Sequence, residues 1–446
     1  MFEQSGDPSS SFPVSAAGLR GWAAALVGVD RAVDDGERVE QLAALEELKA
    51  AACAAQARVA VDFARSQEAV MRASGVPAAR AGATVGVGVG AQVALARRES
   101  PHRGGRLLGL ARVLVAEMPC TLRALETGLV NEWRATVIVR ETACVTGEDR
   151  AAIDAELWAD STVVSALGDR ALAATVKRLA HRCDPRAVLA RAAQAETERC
   201  VSLRPAPDTM TYLTALLPMA QGVAAYAALT QAADTARSDG DVRGRGQVMA
   251  DTLVQHLTGQ TRASDVGVRV NLVMSDTTLL GDCTDPATTD PAADEPALIS
   301  GHGPIPATVA RRLVATASGS QRAWVRRLYQ HHGRLIAMES RARRFPEAMG
   351  DFLDLRDQQC RTPWCDAPIR HHDHITAHTT GGPTAVTNGQ GLCEACNHTK
   401  QTPGWQARPG PHGQVITTTP TRHHYTSPEP PPPGRPPPRQ ARRKAA

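Results

Sequence analysis

The chain has 446 residues, a formal net charge of +4 at pH 7, 43% hydrophobic residues and 22% charged residues. This length is enough for more than one folded unit, and these fractions are typical of a globular protein, so wholesale disorder is excluded. The net charge is small for the length, and therefore only local clusters of charge carry information about partners.

The sequence also argues against a membrane protein. The Gly- and Val-rich uncharged run between Arg80 and Arg97 is shorter than the roughly 20 apolar residues of a transmembrane helix. The first residues include acids and no basic region, so they do not resemble a secretory signal. We therefore expect a cytoplasmic protein without a membrane partner, and reduced thiols at the six cysteines that have no close partner. These are Cys53, Cys120, Cys144, Cys183, Cys200 and Cys283.

The first part of the chain is predicted to be helical after a polar, disordered start at residues 1–18. From about 36 to 203, apolar residues recur at helical spacing. In the first helix we expect one stripe to form the buried face, and Asp184-Pro185 is a good start for a later helix. The stripe consists of Val39, Leu42, Leu45, Leu48, Ala52, Val59 and Phe63.

The middle of the chain mixes strand and helix patterns. Residues 209–217 and the Val-rich segment 266–274 are β-like, and a helix is predicted between them over about 222–237. Residues 282–296 contain acids and prolines and are predicted to form a surface loop. The sequence therefore predicts a helical to α+β domain over 36–345.

Two close pairs of cysteines follow. Cys360-x4-Cys365 and Cys393-x2-Cys396 have the spacing of a tetrahedral Zn²⁺ site, in which each pair provides two thiolates from one turn. Such a structural zinc stabilises a small domain that buries little apolar surface. The alternative is four unrelated free cysteines, which the pairing disfavours.

Between and after these pairs lie Asp373-His374-Ile375, Gly381-Gly382, Asn388, Asn397 and Lys400. Here the sequence resembles the HNH nuclease family, in the form with zinc-binding cysteine pairs, over about residues 360–405. The resemblance implies a small ββα-metal domain, which we place at 351–408.

The resemblance also implies roles for single residues. His374 would be the general base, and Asn388 would orient it. Asp373 and Asn397 would bind a catalytic Mg²⁺ or Mn²⁺, and Lys400 would contact a phosphate. These residue types suit the chemistry, because a neutral imidazole can accept a proton from water near pH 7 and oxygen ligands suit Mg²⁺.

The sequence departs from the family name at Asn397, where the name-giving members have His. The family that the sequence resembles includes active members with Asn at this position. We therefore do not interpret Asn397 as a sign of inactivation. His398 is the neighbouring candidate, but on a helix it would point about 100° away from Asn397. His371, His372 and His378 are interpreted mainly as solvated side chains, Gly381-Gly382 as a turn, and Trp364 and Trp405 as packing residues over the zinc site.

A second resemblance covers about residues 40–345. The stretches RALETGLVNEWRATVIVRET, GHGPIPATVARRL and ESRARRFPEAMGDFLDLRDQQC resemble the DUF222 domain of the 13E12-repeat family, which is often found in front of such a nuclease. This resemblance implies a domain order but no chemistry.

Two basic segments could attract a nucleic acid. Residues 351–405 contain four Lys or Arg against six Asp or Glu, so any attraction for phosphates has to come from elsewhere. One source is the arginine-rich stretch before this segment, and the other is a disordered, Pro-rich basic tail over 420–446. A solvated charged face is the ordinary alternative. The arginines concerned are Arg322, Arg326, Arg327, Arg343 and Arg344.

Two functions remain open at this point. The first is a metal-dependent endonuclease acting on DNA, with RNA as a possible substrate. The second is a non-catalytic, zinc-stapled module that binds nucleic acid. The sequence contains no information on the oligomeric state.

Overall fold

The computed structural model describes residues 15–31, 33–73, 78–260, 272–275, 278–279, 295–299, 302–319, 330–331, 334–335, 339–340 and 344–430. Within these residues the fold is mainly helical with small sheets, as predicted. No helix among them combines the length and apolar character needed to cross a membrane.

Ten α-helices form the described part of the N-terminal region. They are α1 (Ala16–Ala25), α2 (Asp35–Ala73), α3 (Ala78–Arg97), α4 (Pro101–Ala116), α5 (Pro119–Glu126), α6 (Glu132–Glu141), α7 (Gly147–Leu157), α8 (Ser161–Ala166), α9 (Asp169–Cys183) and α10 (Pro185–Thr197). The predicted start of α10 is confirmed, because the Asp184 carboxylate accepts the Ala187 N–H at 2.9 Å as an N-cap.

The main core lies between α2 and the helices that follow it. Its fully buried members include Leu114, Met118, Leu125, Ile138 and Leu172. Side chains of this size are excluded from water on all sides, and their burial is the main driving force for packing the helices together.

The buried face of α2 differs from the predicted stripe. Val39 and Leu42 are 63% and 68% exposed, and Val59 is 67% exposed. The helix instead buries a line of small side chains, which allows a close approach to α4. The buried residues of α2 are Ala50, Ala54, Ala57, Val61 and Ala64.

The middle region is α+β within the described residues. The predicted strand and helix are confirmed as β2 (Thr211–Leu216), which pairs with β1 (Cys200–Pro205), and α11 (Met219–Ser238). Of the predicted strand 266–274, residues 272–274 are described, whereas most of the predicted loop 282–296 lies outside the described residues. The other elements here are α12 (Arg245–Thr258), β3 (Leu272–Val273), β4 (Ala297–Ile299), β5 (Gly303–Ile305), α13 (Ala307–Gly319), β6 (Gln330–His331), β7 (Arg334–Leu335) and β8 (Glu339–Ser340).

The C-terminal region contains the predicted site. Helix α14 (Glu347–Asp357) packs on the antiparallel pair β9 (His371–His374) and β11 (Gly389–Leu392), and α15 (Glu394–Lys400) follows β11 directly. Strand β10 (Thr384–Ala385), in the connection between β9 and β11, pairs with β8. A strand, a long loop, a second strand and a helix therefore follow each other, in the order that the resemblance implies.

Two segments that we predicted to be disordered include residues that form regular structure. Helix α1 begins at Ala16, inside the predicted segment 1–18, with the Ser15 hydroxyl as its N-cap. The predicted tail 420–446 overlaps a three-stranded antiparallel sheet, in which β-branched side chains and Tyr425 favour strands. Its strands are β12 (Gln406–Pro409), β13 (Val415–Thr418) and β14 (His424–Ser427). Residues 1–14 and 431–446 lie outside the described part of the chain.

The C-terminal sheet packs against helix α3. The buried Trp405 contacts Ala91 and Leu95 in an apolar cluster. The Thr421 hydroxyl donates to the Gln92 side-chain oxygen at 2.9 Å. Trp405 therefore joins the two regions as a packing residue, and it lines the same cleft as Cys396.

Candidate metal centre and the adjoining strand end

The four predicted cysteines converge. Their sulfur atoms all lie within 4.8 Å of one another, and all four residues are buried. The Cys365 sulfur lies 3.6 Å from both the Cys393 and the Cys396 sulfurs. A tetrahedral zinc with Zn–S distances of about 2.3 Å has sulfurs roughly 3.8 Å apart. The cluster therefore can hold a metal ion such as zinc, as the spacing predicted.

Local backbone structure brings the two pairs together. The first pair lies in a tight knuckle in which Trp364 and Asp366 have positive φ values of 61° and 50°. L-residues adopt this conformation at a cost, so neighbouring contacts have to hold it. The Cys360 N–H donates to the Ala367 carbonyl at 2.9 Å, which closes the knuckle. In the second pair, the Cys393 sulfur caps α15 by accepting the Cys396 N–H at 3.4 Å.

Close packing couples the protonation of the four thiols. Hydrogen bonds from Cys360 and the other two thiols lower the pKa of Cys393. Hydrogen bonds within the same cluster, first from Cys360, raise the pKa of Cys396. A buried group of sulfurs that share their protons is suited to losing them to a metal ion.

Strand β9 carries Asp373 beside the cysteine cluster. In the β9–β11 register Asp373 lies opposite Gln390, whose side-chain amide is 3.4 Å from the carboxylate. The Lys400 ammonium, from the last residue of α15, lies 2.6 Å from the Oδ2 atom of Asp373. Lys400 also donates to the main-chain carbonyl of His374. Two oxygens at the end of β9 therefore face one cation.

His374 points to the other side of the strand, since successive side chains alternate. Its Nε2 atom lies 2.9 Å from the Thr384 hydroxyl. The ring of Phe345 packs against the imidazole at 4.5 Å between centroids, and that of His378 lies at 5.5 Å. These contacts fix the orientation of the imidazole.

Asn388 is buried and holds the loop between β9 and β11 closed. Its side-chain oxygen accepts the Thr376 N–H at 2.9 Å, and its amide donates to the carbonyls of Thr376 and Pro383 at 3.0 and 2.8 Å. Its main-chain carbonyl accepts the Ile375 N–H at 2.7 Å. Asn388 thus fixes the backbone directly after His374.

Gly382 is the glycine on which this loop depends. A Cβ atom at this position would lie 1.9 Å from the Thr376 carbonyl oxygen and 2.9 Å from the Asn388 amide nitrogen. The backbone of the loop must therefore move to accept any side chain. The predicted turn at Gly381-Gly382 is confirmed, with Gly381 at a φ of +88°.

We expect Gly382→Ala to destabilise the loop by about 1–3 kcal/mol, the usual cost of overpacking. The measurement is hydrogen–deuterium exchange at the amides of Ile375 and Thr376, which should become faster. Gly246→Ala is the matched control, because a Cβ atom there meets nothing within 4 Å. Equal exchange in both variants at these amides would contradict the role of Gly382.

The side chains of Asn397 and of the neighbouring histidines have partners of their own. The Asn397 side-chain oxygen accepts from Gln401 at 3.4 Å, so its hydrogen bond goes along α15 and not to Asp373. The His398 ring lies near that of His371, at 6.4 Å between centroids. His372 pairs with Asp354 at 2.8 Å, and this hydrogen bond raises the pKa of His372. It is thus a bound side chain and not a freely solvated one.

Only one of the arginines that we predicted to contact DNA lies among the described residues. Arg344 is exposed. The other predicted DNA-contacting arginines, Arg322, Arg326, Arg327 and Arg343, lie outside the described residues.

The sequence interpretation missed a buried ionic network behind the site. The Asp357 carboxylate, with 0% side-chain exposure, pairs with Arg356 at 2.7 Å and with Arg361 at 3.0 Å. It also accepts the Gly391 N–H of β11 at 2.7 Å. Arg361 continues to the Gly413 carbonyl at 2.9 Å. The i,i+4 spacing of Asp357 and Arg361 was the available sequence signal, but it did not reveal the burial.

Comparison with known proteins identifies the larger part of the chain. The family model described as "Domain of unknown function (DUF222)" matches residues 42–357. Neither curated proteins nor solved structures yield a match. The matched range ends before Cys360 and so does not include the cysteine cluster. It covers well over half of the sequence and agrees with the resemblance noted from the sequence, and on this basis the chain belongs to the DUF222 family.

Proposed function

We propose that this chain is a metal-dependent endonuclease of the HNH kind that hydrolyses phosphodiester bonds in DNA. The observation that carries the proposal is the end of strand β9. There the Asp373 carboxylate and the His374 carbonyl face one cation, beside a four-cysteine cluster and the helix that carries Asn397. Two paired strands and a helix, with one cysteine pair before the first strand and the other at the start of the helix, support a ββα-metal unit.

The donor set at Asp373 fits a cation. Its carboxylate already faces a positive charge in this structure, the ammonium of Lys400. Asp373 and Asn397 are the residues that would hold Mg²⁺ or Mn²⁺, because oxygen atoms are the ligands that these ions prefer. When bound, such an ion would stabilise negative charge on the phosphate and on the leaving oxygen.

His374 is the proposed general base. Its imidazole would remove the proton from the attacking water, a task that suits a neutral imidazole. The Thr384 hydroxyl and the Phe345 ring hold the imidazole in place, and Asn388 fixes the backbone that follows it. Positioned groups of this kind lower the barrier by keeping the reacting atoms aligned.

DNA is proposed as the substrate on electrostatic grounds. Residues 310–344 contain nine arginines against one glutamate, and residues 434–446 contain five basic residues. Basic segments of this kind bind the phosphate backbone and release its counterions, irrespective of base sequence. The site itself is not basic, so these flanking segments would provide the attraction.

We expect His374→Ala to reduce nicking of supercoiled plasmid in Mg²⁺ or Mn²⁺ by about 100-fold or more, the usual loss with a general base. Binding of the plasmid and zinc content should be unchanged. His412→Ala is the matched control, because His412 is exposed and lies in the turn between β12 and β13, outside the strand pair β9–β11. Equal nicking by the parent and His374→Ala would remove the enzymatic proposal.

The alternative is a non-catalytic, zinc-stapled module that binds nucleic acid. One contact favours it, since the Nε2 atom of His374 already has a partner in the Thr384 hydroxyl. Plasmid binding without metal-dependent nicking, in the parent chain as in His374→Ala, would identify this second function.

A further inference from the structure

The side chain of Lys400 has an unusual environment for a lysine at the end of a helix. Such a side chain normally extends into water, where its charge interacts favourably with the last carbonyls. Lys400 instead has 16% side-chain exposure, and its partner Asp373 has 21%. Lys400 also borders the cleft between α3 and the cysteine cluster, together with Gln390 and Leu95. Water and salt therefore screen this pair less than a surface pair.

The ammonium contacts the carboxylate oxygen that the proposed metal would use. Lys400 lies 2.6 Å from the Oδ2 atom of Asp373 and donates to the carbonyl of His374 as well. A divalent ion bound to Oδ2 would lie at about 2.0–2.1 Å from it for Mg²⁺. The ammonium and the ion cannot both occupy this side of the oxygen, and two cations a few ångströms apart repel each other.

We propose that Lys400 is a built-in competitor for the metal ion, which a divalent ion has to displace from Asp373 before it binds. This inference rests on the proposed function, in which Asp373 is a metal ligand. Lys400 thereby sets the affinity of the site for the metal and is a positioning residue for Asp373. The phosphate contact first expected for Lys400 requires the same displacement.

The test measures binding of Mn²⁺ to the full-length, zinc-loaded chain, with free Mn²⁺ followed by electron paramagnetic resonance. The component of interest is the binding that Asp373→Asn abolishes. We expect Lys400→Met to tighten this component by about ten-fold or more, which is the lower range of coupling between close charges. Lys400→Arg keeps the positive charge and should stay close to the parent.

The matched control is Lys49→Met. Lys49 also forms an ion pair at 2.6 Å, with Glu46, but its side chain is 71% exposed and far along the sequence in α2. This variant removes the same charge from the chain and should leave Mn²⁺ affinity unchanged. Zinc content and the circular dichroism spectrum of each variant show whether the fold is retained.

The outcomes separate this inference from the proposed function. Unchanged or weaker binding in Lys400→Met, with the Asp373-dependent component present in the parent, would overturn the competition and leave the metal site in place. Absence of Asp373-dependent binding in both the parent and Lys400→Met would overturn both. Asp373-dependent binding that appears only in Lys400→Met would support the competition in its strongest form.

Discussion

Cys393→Ser is expected to reduce the metal content of the purified chain from about one zinc ion to near zero. The four sulfurs lie within 4.8 Å of each other, so the loss of one leaves an incomplete tetrahedron. Cys393 is also the N-cap of α15, but serine is itself a preferred N-cap, so Cys393→Ser removes the ligand and keeps the helix start. Zinc in the purified chain can be measured by elemental mass spectrometry.

The loss of zinc should also unfold the region around it. Besides the cysteines, the apolar cluster there contains Leu392 and the partly buried Ala367, which is a small core. Apparent free energies of zinc binding in zinc-finger peptides are about 10–16 kcal/mol, far more than such a core provides. Amide exchange in β11 and α15 should therefore become fast in the variant, while the helical core around Leu114 and Leu172 stays protected.

The matched control for this prediction is Cys183→Ser. Cys183 is a free, exposed cysteine at the end of α9, outside the cluster. This variant should retain full zinc content and normal exchange in β11. Undiminished zinc in Cys393→Ser would refute the assignment of Cys393 as a ligand, and equal loss in both variants would point to a general effect of thiol removal.

The cysteine cluster could be predicted because the information is local. Each pair lies within one turn of the chain, so the spacing alone brings two sulfurs together, and the second pair is fixed by the start of a helix. The strand, loop, strand and helix between and after the pairs were expected from the resemblance and not from the spacing of the cysteines. Helix starts such as Asp184-Pro185 were predicted from short capping patterns. The DUF222 segment was predicted from its resemblance to that family.

Contacts between distant segments could not be predicted. The Lys400–Asp373 pair joins residues 27 positions apart, and it depends on how α15 crosses the strand. The buried face of α2 was assigned to large aliphatic residues, but its partners accept only a line of small side chains beginning at Ala50. Hydrophobic periodicity gives a preferred face, whereas the shape of the partner decides which residues are buried.

The C-terminal sheet shows a different limit. Prolines after residue 427 extended the predicted tail back to 420, although β14 (His424–Ser427) contains residues that favour strands. A strand of four residues gives a weak pattern by itself. It is stabilised here by pairing with β13 and by the contact of Trp405 with α3, neither of which is visible locally.

Among the charged residues of the C-terminal region, Asp357 should be the one whose removal costs the most stability. Its carboxylate is buried. It joins Arg356 and Arg361, whose side chains are 10% and 3% exposed, and it holds the Gly391 N–H. Removing one partner from a buried ionic group leaves the other charges without compensation, which typically costs about 3–5 kcal/mol.

We therefore expect Asp357→Ala to lower the stability of the strand pair β9–β11 by about 3–5 kcal/mol. The readout is hydrogen–deuterium exchange of the β11 amides, which reports the local free energy of opening without assuming one transition for the whole chain. The Gly391 amide should change most, since it loses its acceptor directly.

Asp354→Ala provides the comparison on the same helix. Asp354 pairs with His372 at 2.8 Å, but its side chain is 46% exposed, so its loss should cost less than about 1 kcal/mol. Similar exchange in the two variants would mean that Arg356 and Arg361 find other partners and that the network does not stabilise β11. A large difference would show that the last residue of the DUF222 match stabilises the strand that carries Asp373 and His374. In that case the family domain and the candidate site fold as interdependent parts, because Asp357 belongs to both.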